Sequence, residues 1–140
     1  MSRPPSILVV DDSSADVRLL REAVREQGIA ADLHAVDDGE QALERLTAGA
    51  RPDLVLLDLN LPGLDGREVL TAIKGDPCLR TIPVIVLSTS SSPGDVADCY
   101  ARHANSYLVK PMHLEELGAV MRAIDTFWLR LARLPTERIA

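Results

Sequence analysis

Aromatic residues are nearly missing from this chain: one Phe, one Trp and two Tyr make up 3% of its 140 residues. Rings that could stack on bases or sandwich a flavin are therefore scarce, and no Gly-rich phosphate loop is present to hold a nucleotide. Cysteine is equally sparse. Cys78 and Cys99 fall outside any Cys-x-x-Cys spacing, which excludes a disulfide framework and a zinc site and suits a reducing cytoplasm. The 15 Lys and Arg are spread along the chain against 21 Asp and Glu, for a net charge of -6. Direct nucleic-acid binding, which needs a clustered basic surface, is not expected. No apolar run approaches the roughly 20 residues of a membrane span, and Ile7 to Val10 is too short for a signal-peptide core. A cytoplasmic protein with no membrane partner is expected.

What remains is aliphatic. Hydrophobic residues form 46% of the sequence, enough for a core of Val, Leu, Ile and Ala in one domain. The stretch that organises the chain is Asp53-Leu54-Val55-Leu56-Leu57-Asp58, four aliphatic residues that end in a carboxylate and run into Asn60, Pro62, Gly63, Asp65 and Gly66. Such a run reads as a strand buried on both faces, and an ionised Asp at its end needs cations or donors around it.

The same alternation of strand and helix occurs five times. Ser6 to Val10 is followed by Asp11-Asp12-Ser13-Ser14, which has N-cap chemistry, and by a helix to about Gln27 with Val17, Leu20 and Val24 on one face. Ala30 to Val36 predicts a polar edge strand. Asp38, with Gln41 three residues on, predicts a capping box for the second helix. After the strand ending at Asp58, a helix is expected from Asp65 to Lys74, then a strand from Ile82 to Leu87. Pro93 sits at a helix N1 position after a hydroxyl-rich loop, with that helix running to His103. Ser106 to Val109 is a short fifth strand ending in Lys110-Pro111, and Leu114, Leu117, Val120, Met121 and Ile124 mark a last helix. His34, His103 and His113 lack metal spacing and read as surface or capping residues.

Apolar strands at the first, third and fourth places call for a parallel sheet covered on both sides. In such sheets the functional crevice lies beyond the carboxyl ends of the strands. There the sequence gathers Asp11 and Asp12, Asp58, Ser88 and Lys110. Asp12, Asp58 and the main-chain carbonyl of Asn60 could hold Mg²⁺, with Asp11 acting through a metal-bound water. Asp58 could then attack phosphorus while Lys110 and the Ser88 hydroxyl neutralise the phosphoryl oxygens. A phosphohydrolase built on an Asp nucleophile usually carries a second acid two residues later as proton donor. Asn60 occupies that place, which favours a phosphate that persists.

These residues resemble the receiver domain of two-component response regulators. The likeness is carried by Asp11-Asp12, by Asp58 within Leu-Asp-Leu-Asn-Leu-Pro-Gly-Leu-Asp65-Gly66, by Ser88-Thr89, and by Tyr107-x-x-Lys110-Pro111. It implies an α/β, flavodoxin-like doubly wound (βα)5 fold with a five-stranded parallel sheet of order 2-1-3-4-5. It implies a receiver over residues 5–125, followed by a C-terminal helical extension and tail over 126–140. It also implies a phosphoacceptor rather than an enzyme, with Asp58 phosphorylated by a histidine kinase, Ser88 and Tyr107 as switch residues, and a cis Lys110-Pro111 bond. Ser88 departs from the Thr that many receivers carry. Asn105-Ser-Tyr-Leu-Val-Lys-Pro and Phe127-Trp128-Leu resemble the single-domain regulators that partner bacterial phytochromes. A phosphorelay intermediate and a chemotaxis-type regulator are the alternatives.

The chain's only Phe and Trp lie past Asp125, in Thr126-Phe127-Trp128-Leu129-Arg130-Leu131. Phe127, Trp128 and Leu129 spread over about 200° of an α-helix and cannot all face one core. A homodimer through the fourth helix, fifth strand and fifth helix is therefore expected, with Phe127, Trp128 and Leu131 at its interface.

Overall fold

The apolar run before Asp58 is the central strand of the molecule. The computed structural model describes residues 3–135. In chain order the elements are β1 (Ser6–Val10), α1 (Ser14–Glu26), β2 (Asp32–Val36), α2 (Gly39–Thr47), β3 (Leu54–Leu57), α3 (Gly66–Gly75), β4 (Val84–Ser88), α4 (Pro93–Ala101), β5 (Ser106–Val109) and α5 (Leu114–Ile124). All strand pairs are parallel, and their order is β2-β1-β3-β4-β5, as the resemblance implies.

Strand alternation divides the core in two. Leu8, Val10, Val55, Leu57, Val84 and Val86 point to one face, where Ala42 and Leu46 of α2, Val69, Leu70 and Ile73 of α3 and Cys99 of α4 cover them. Ile7, Val9, Leu54, Leu56, Ile85 and Leu87 point to the other, under Leu20, Ala23 and Val24 of α1 and Leu117, Met121 and Ile124 of α5. Each fully buried aliphatic side chain contributes about 1.5–3 kcal/mol, so the three inner strands anchor the strand ends from both sides. Cys99 is one of these core residues and Cys78 is exposed; both are free thiols. No helix among the described residues is long and apolar enough to cross a membrane.

The helix starts follow the sequence closely. The Ser13 hydroxyl accepts from the Asp16 amide, Asp38 accepts from the Gln41 amide, and Ser92 precedes Pro93 at the first turn of α4. The expected capping box at Asp38 is half realised. Gln41 turns its side-chain amide onto the carboxylates of Asp37 and Asp38 rather than onto the cap backbone, because an acid is the better acceptor for its donor. The reciprocal contact occurs instead at α3, where the Asp65 amide donates to Glu68 Oε1 at 3.3 Å. Three boundaries also move, with β4 running over Val84–Ser88 rather than from Ile82. β2 starts at Asp32, and α4 stops at Ala101, after which exposed His103 takes a left-handed φ of 72° and reverses the chain.

The largest departure lies at the end of α5. The expected α-helical stripe gives way to a π-helix over Asp125–Leu131. Asp125, at 3% exposure, explains it in part: its carboxylate accepts from Arg122 at 3.4 Å and from Arg130 at 2.8 Å. The wider turn brings residues five apart over one another, so Arg130 closes on Asp125 and the Ala132 amide reaches the Phe127 carbonyl. Trp128 and Leu129 then pack against the α1/α5 core, whereas Phe127 and Leu131 stay 55% and 72% exposed. Trp128 is thus half-buried against its own domain. The expected tail over 136–140 lies outside the described residues.

Candidate functional site

Parallel register brings the acids together. Val10 pairs with Leu57, so Asp11 and Asp58, the next residue of each strand, emerge side by side. Main-chain bonds fix them there: the Asp11 amide donates to Val36 O at 3.1 Å and the Asp58 amide to Val10 O at 2.9 Å. On the other side Ser88 pairs with Val109, and the Lys110 amide donates to Ser88 O at 2.6 Å. Strand geometry therefore brings Asp11, Asp58, Ser88 and Lys110, scattered through the sequence, to one end of the sheet.

Lys110 is the centre of charge. Its ammonium lies 2.7 Å from Asp11 Oδ2, 3.1 Å from Asp16 Oδ2 and 3.7 Å from Asp58 Oδ2, with only 8% of the side chain exposed. Burial works against its charge, but the hydrogen bond and field of Asp11, the field of Asp58 and the bond to Asp16 outweigh it and hold the amine above the ordinary lysine range. Asp58 is moved the opposite way. Burial raises its carboxyl above the usual range, Lys110 draws it down, Asp11 pushes it up, and the amides of Asn60 and Leu59 offset part of the rise. Leu20, Leu56, Leu87 and Leu117 wall a cavity of about 20 Å³ behind these groups, which keeps the back of the site apolar. No peptide bond is cis among the described residues, so Lys110-Pro111 is trans and the expected cis bond is not found. The trans form is the one favoured intrinsically at X-Pro, by about 0.5–1 kcal/mol, and Lys110 meets the acids from it.

Asp11, Asp12 and Asp58 each offer a carboxylate oxygen, and these lie within 4.8 Å of one another. Asp11 is buried, Asp58 half-buried and Asp12 exposed, so the cluster opens to solvent through Asp12. An all-carboxylate set of this kind fits a hard divalent cation, which would offset the mutual repulsion of the acids. The Asn60 amide donates to Asp58 Oδ1 at 3.4 Å, and the exposed loop that carries it is fixed behind by Leu59, 1% exposed. Gly66 makes that loop possible. A Cβ there would stand 2.2 Å from the Asp58 carbonyl oxygen and 2.6 Å from Leu59 Cα, so only glycine lets α3 approach the backbone of Asp58.

Ser88 is fully buried, and its Oγ accepts from the Ser90 amide at 3.2 Å. The following loop is tied down by Tyr107 and by Ser90, Asp95 and Arg67, which pattern reading did not single out. Ser90 Oγ donates to Asp95 at 2.6 Å, Arg67 of α3 donates to the same carboxylate at 2.8 Å, and the Tyr107 hydroxyl donates to the Ser90 carbonyl at 2.7 Å. Ser90 and Arg67 together hold the Asp95 carboxyl below the usual range. Tyr107 is half-buried with its ring against the α3/α4 side of the core. Asp16 was also missed, since a first-turn acid ordinarily reads as helix capping. Phe127, Trp128 and Leu131 are not part of this cluster; the extension runs toward Pro5 and Asp53, at the amino ends of β1 and β3 and so opposite the site.

Comparison with known proteins agrees with this geometry. The chain is 44% identical over 141 residues to the response regulator Rcp1 of a Synechocystis species, covering 96% of both chains. A crystal structure of Rcp1 in a Mn²⁺-bound form superposes with a TM-score of 0.85. The phosphorylated cyanobacterial phytochrome response regulator RcpA gives a TM-score of 0.88 at 44% identity, over 95% of this chain and 99% of that one. A response regulator of red-light signalling in R. palustris gives 0.87 at 38% identity, again over 95% and 99%. The model of the response regulator receiver domain matches residues 7–122. The chain thus belongs to the response regulator receiver family of two-component signalling proteins, close to the regulators of phytochrome pathways.

Proposed function

We propose that Asp58 accepts a phosphoryl group from a histidine kinase in a Mg²⁺-dependent reaction. The observation that carries this reading is the convergence of Lys110 with Asp11 and Asp58 at the ends of three strands, where one half-buried carboxylate faces both an acid pair and an ammonium. Asp12, Asp58 and the Asn60 carbonyl would hold Mg²⁺, with Asp11 acting through a water. The metal would supply charge neutralisation at the incoming phosphate. Asp58 then supplies the attacking oxygen, Lys110 the opposing positive charge, and Ser88 a buried hydroxyl. Asn60 offers no acid for rapid hydrolysis, so the chain serves as a phosphoacceptor rather than as a phosphohydrolase. For Ser88 to turn toward the phosphoryl group, the Ser90 amide must give up its Oγ. Tyr107, which holds the Ser90 carbonyl, would register that movement.

The proposed donor is a phytochrome-class histidine kinase, in keeping with relatives described as phytochrome and red-light regulators. A phosphorelay or chemotaxis role would call for a different kinase. Incubation with the autophosphorylated histidine kinase module of a bacterial phytochrome is expected to move label to this chain within minutes, on the scale of ordinary kinase turnover. Faster labelling from a chemotaxis kinase under the same conditions would reverse the assignment.

Output is proposed to run through a homodimer formed by α4, β5 and α5. Tyr100 of α4 (48% exposed), Val109 of β5 (49%) and Met112 (61%) supply apolar surface there, and Phe127 and Leu131 extend it past the end of α5. Trp128 supports Phe127 from behind, edge to face at 5.2 Å. The receiver proper is taken to end near Asp125, with the rest as an extension. Sedimentation at tens of micromolar, a concentration that populates ordinary interfaces, is expected to give a dimer for the full chain and a monomer for Phe127→Ala/Leu131→Ala. A full-length monomer, or a dimer in both, would contradict the assignment.

A further inference from the structure

An acid in the first turn of a helix usually folds back onto the amide of its own cap residue. Asp16 of α1 does not. The Ser13 amide donates instead to Asp11 Oδ1 at 2.9 Å, while the backbone amide of Asp16 is satisfied by Ser13 Oγ at 3.2 Å. The Asp16 carboxylate is left free to reach across the fold, and its Oδ2 accepts from Lys110 Nζ at 3.1 Å. The ammonium consequently sits closer to Asp11, at 2.7 Å, and to Asp16 than to Asp58, at 3.7 Å. Two of its three N–H donors are engaged by carboxylates other than the phosphoacceptor.

We propose that Asp16 is a positioning residue that acts through Lys110, holding its ammonium toward α1 and so limiting the charge available to a phosphoryl group at Asp58. The proposal rests on the reading of Asp58 as phosphoacceptor. In that reaction an Asp58 carboxylate oxygen forms a new P–O bond as the P–O bond of the donor breaks. With acetyl phosphate, acetate departs with the electron pair, and Lys110 must turn toward the transferred oxygens. Asp11 belongs to the acid cluster that suits a cation, so a bound metal competes for it. Asp16 lies outside that cluster, so a metal bound there does not draw it away from Lys110. Its side chain is 30% exposed, so the restraint has the strength of a partly screened ion pair rather than of a buried one.

The test is a double-mutant cycle on the initial rate of labelling by acetyl phosphate and Mg²⁺, read by intact mass. Asp16→Asn keeps the size and the backbone cap but removes the charge. It is expected to label about three- to fivefold faster than the natural chain, the scale of a half-exposed ion pair. In a Lys110→Met background the same substitution is expected to leave the slow residual rate unchanged, because the group through which Asp16 acts is gone. An unchanged or lower rate for Asp16→Asn alone would overturn the proposal. So would an equal acceleration in the Lys110→Met background, which would mean plain repulsion between Asp16 and the donor. Failure of the natural chain to label at all would overturn the phosphoacceptor reading first, and this proposal with it.

Discussion

Replacing Lys110 by methionine is expected to slow phosphorylation from acetyl phosphate by about 10²–10³-fold, the usual cost of removing one group that stabilises developing charge. Methionine keeps an unbranched stem beside the apolar cavity that Lys110 lines with Leu20, Leu87 and Leu117, so the change isolates the ammonium. Its loss leaves Asp11, Asp16 and Asp58 facing one another without a cation, two of them at hydrogen-bond distance from the vanished group. The folded state is accordingly expected to lose about 3 kcal/mol in urea unfolding without divalent metal, toward the lower end for a broken buried pair, since Asp16 is partly exposed. Added Mg²⁺ is expected to restore part of that stability but not the labelling rate. A variant that labels at the rate of the natural chain would remove Lys110 from the chemistry.

The site was legible because each of its main residues stands at the end of an apolar run. Leu54 to Leu57 and Val84 to Leu87 could only be buried strands, and a parallel sheet then forces Asp58, Ser88 and Lys110 to one edge. The order of strands followed from the resemblance, since periodicity alone does not order a sheet. What could not be read were contacts set by folding at long range. Lys110 and Asp16 are 94 positions apart, and Arg67 and Asp95 are 28 apart. Nothing in the local pattern of a first-turn acid distinguishes a capping role from an ion pair with a distant strand end.

The C-terminal extension was misread for a different reason. An α-helical period of 3.6 puts Phe127 or Trp128, with Leu131, on one continuing stripe and spreads Phe127, Trp128 and Leu129 over about 200°, whereas the π-helix from Asp125 changes the angular step and turns Trp128 and Leu129 inward. The signal that could have warned of it is Asp125 itself. An acid at a position due to face the core, with Arg at 122 and 130, needs both guanidinium groups to be buried at all, and the wider turn supplies the second. Phe127 and Leu131 stay exposed on the outer side of this turn.

Asp58→Asn is expected to abolish phosphorylation altogether. Asparagine keeps the shape and can keep the contact with the Asn60 amide, but its amide is a poor nucleophile and contributes no charge to the acid cluster. Asp11 cannot take over, because it is buried against Lys110 at 2.7 Å, and Asp12 is exposed and forms no ion pair among the described residues. The most direct measurement is therefore intact mass spectrometry of the natural chain and of Asp58→Asn after incubation with acetyl phosphate, with Mg²⁺ and with the metal chelated. The account predicts one added phosphoryl group on the natural chain with Mg²⁺ and none under the other conditions. Equal labelling of Asp58→Asn, or labelling that persists with the metal chelated, would contradict it.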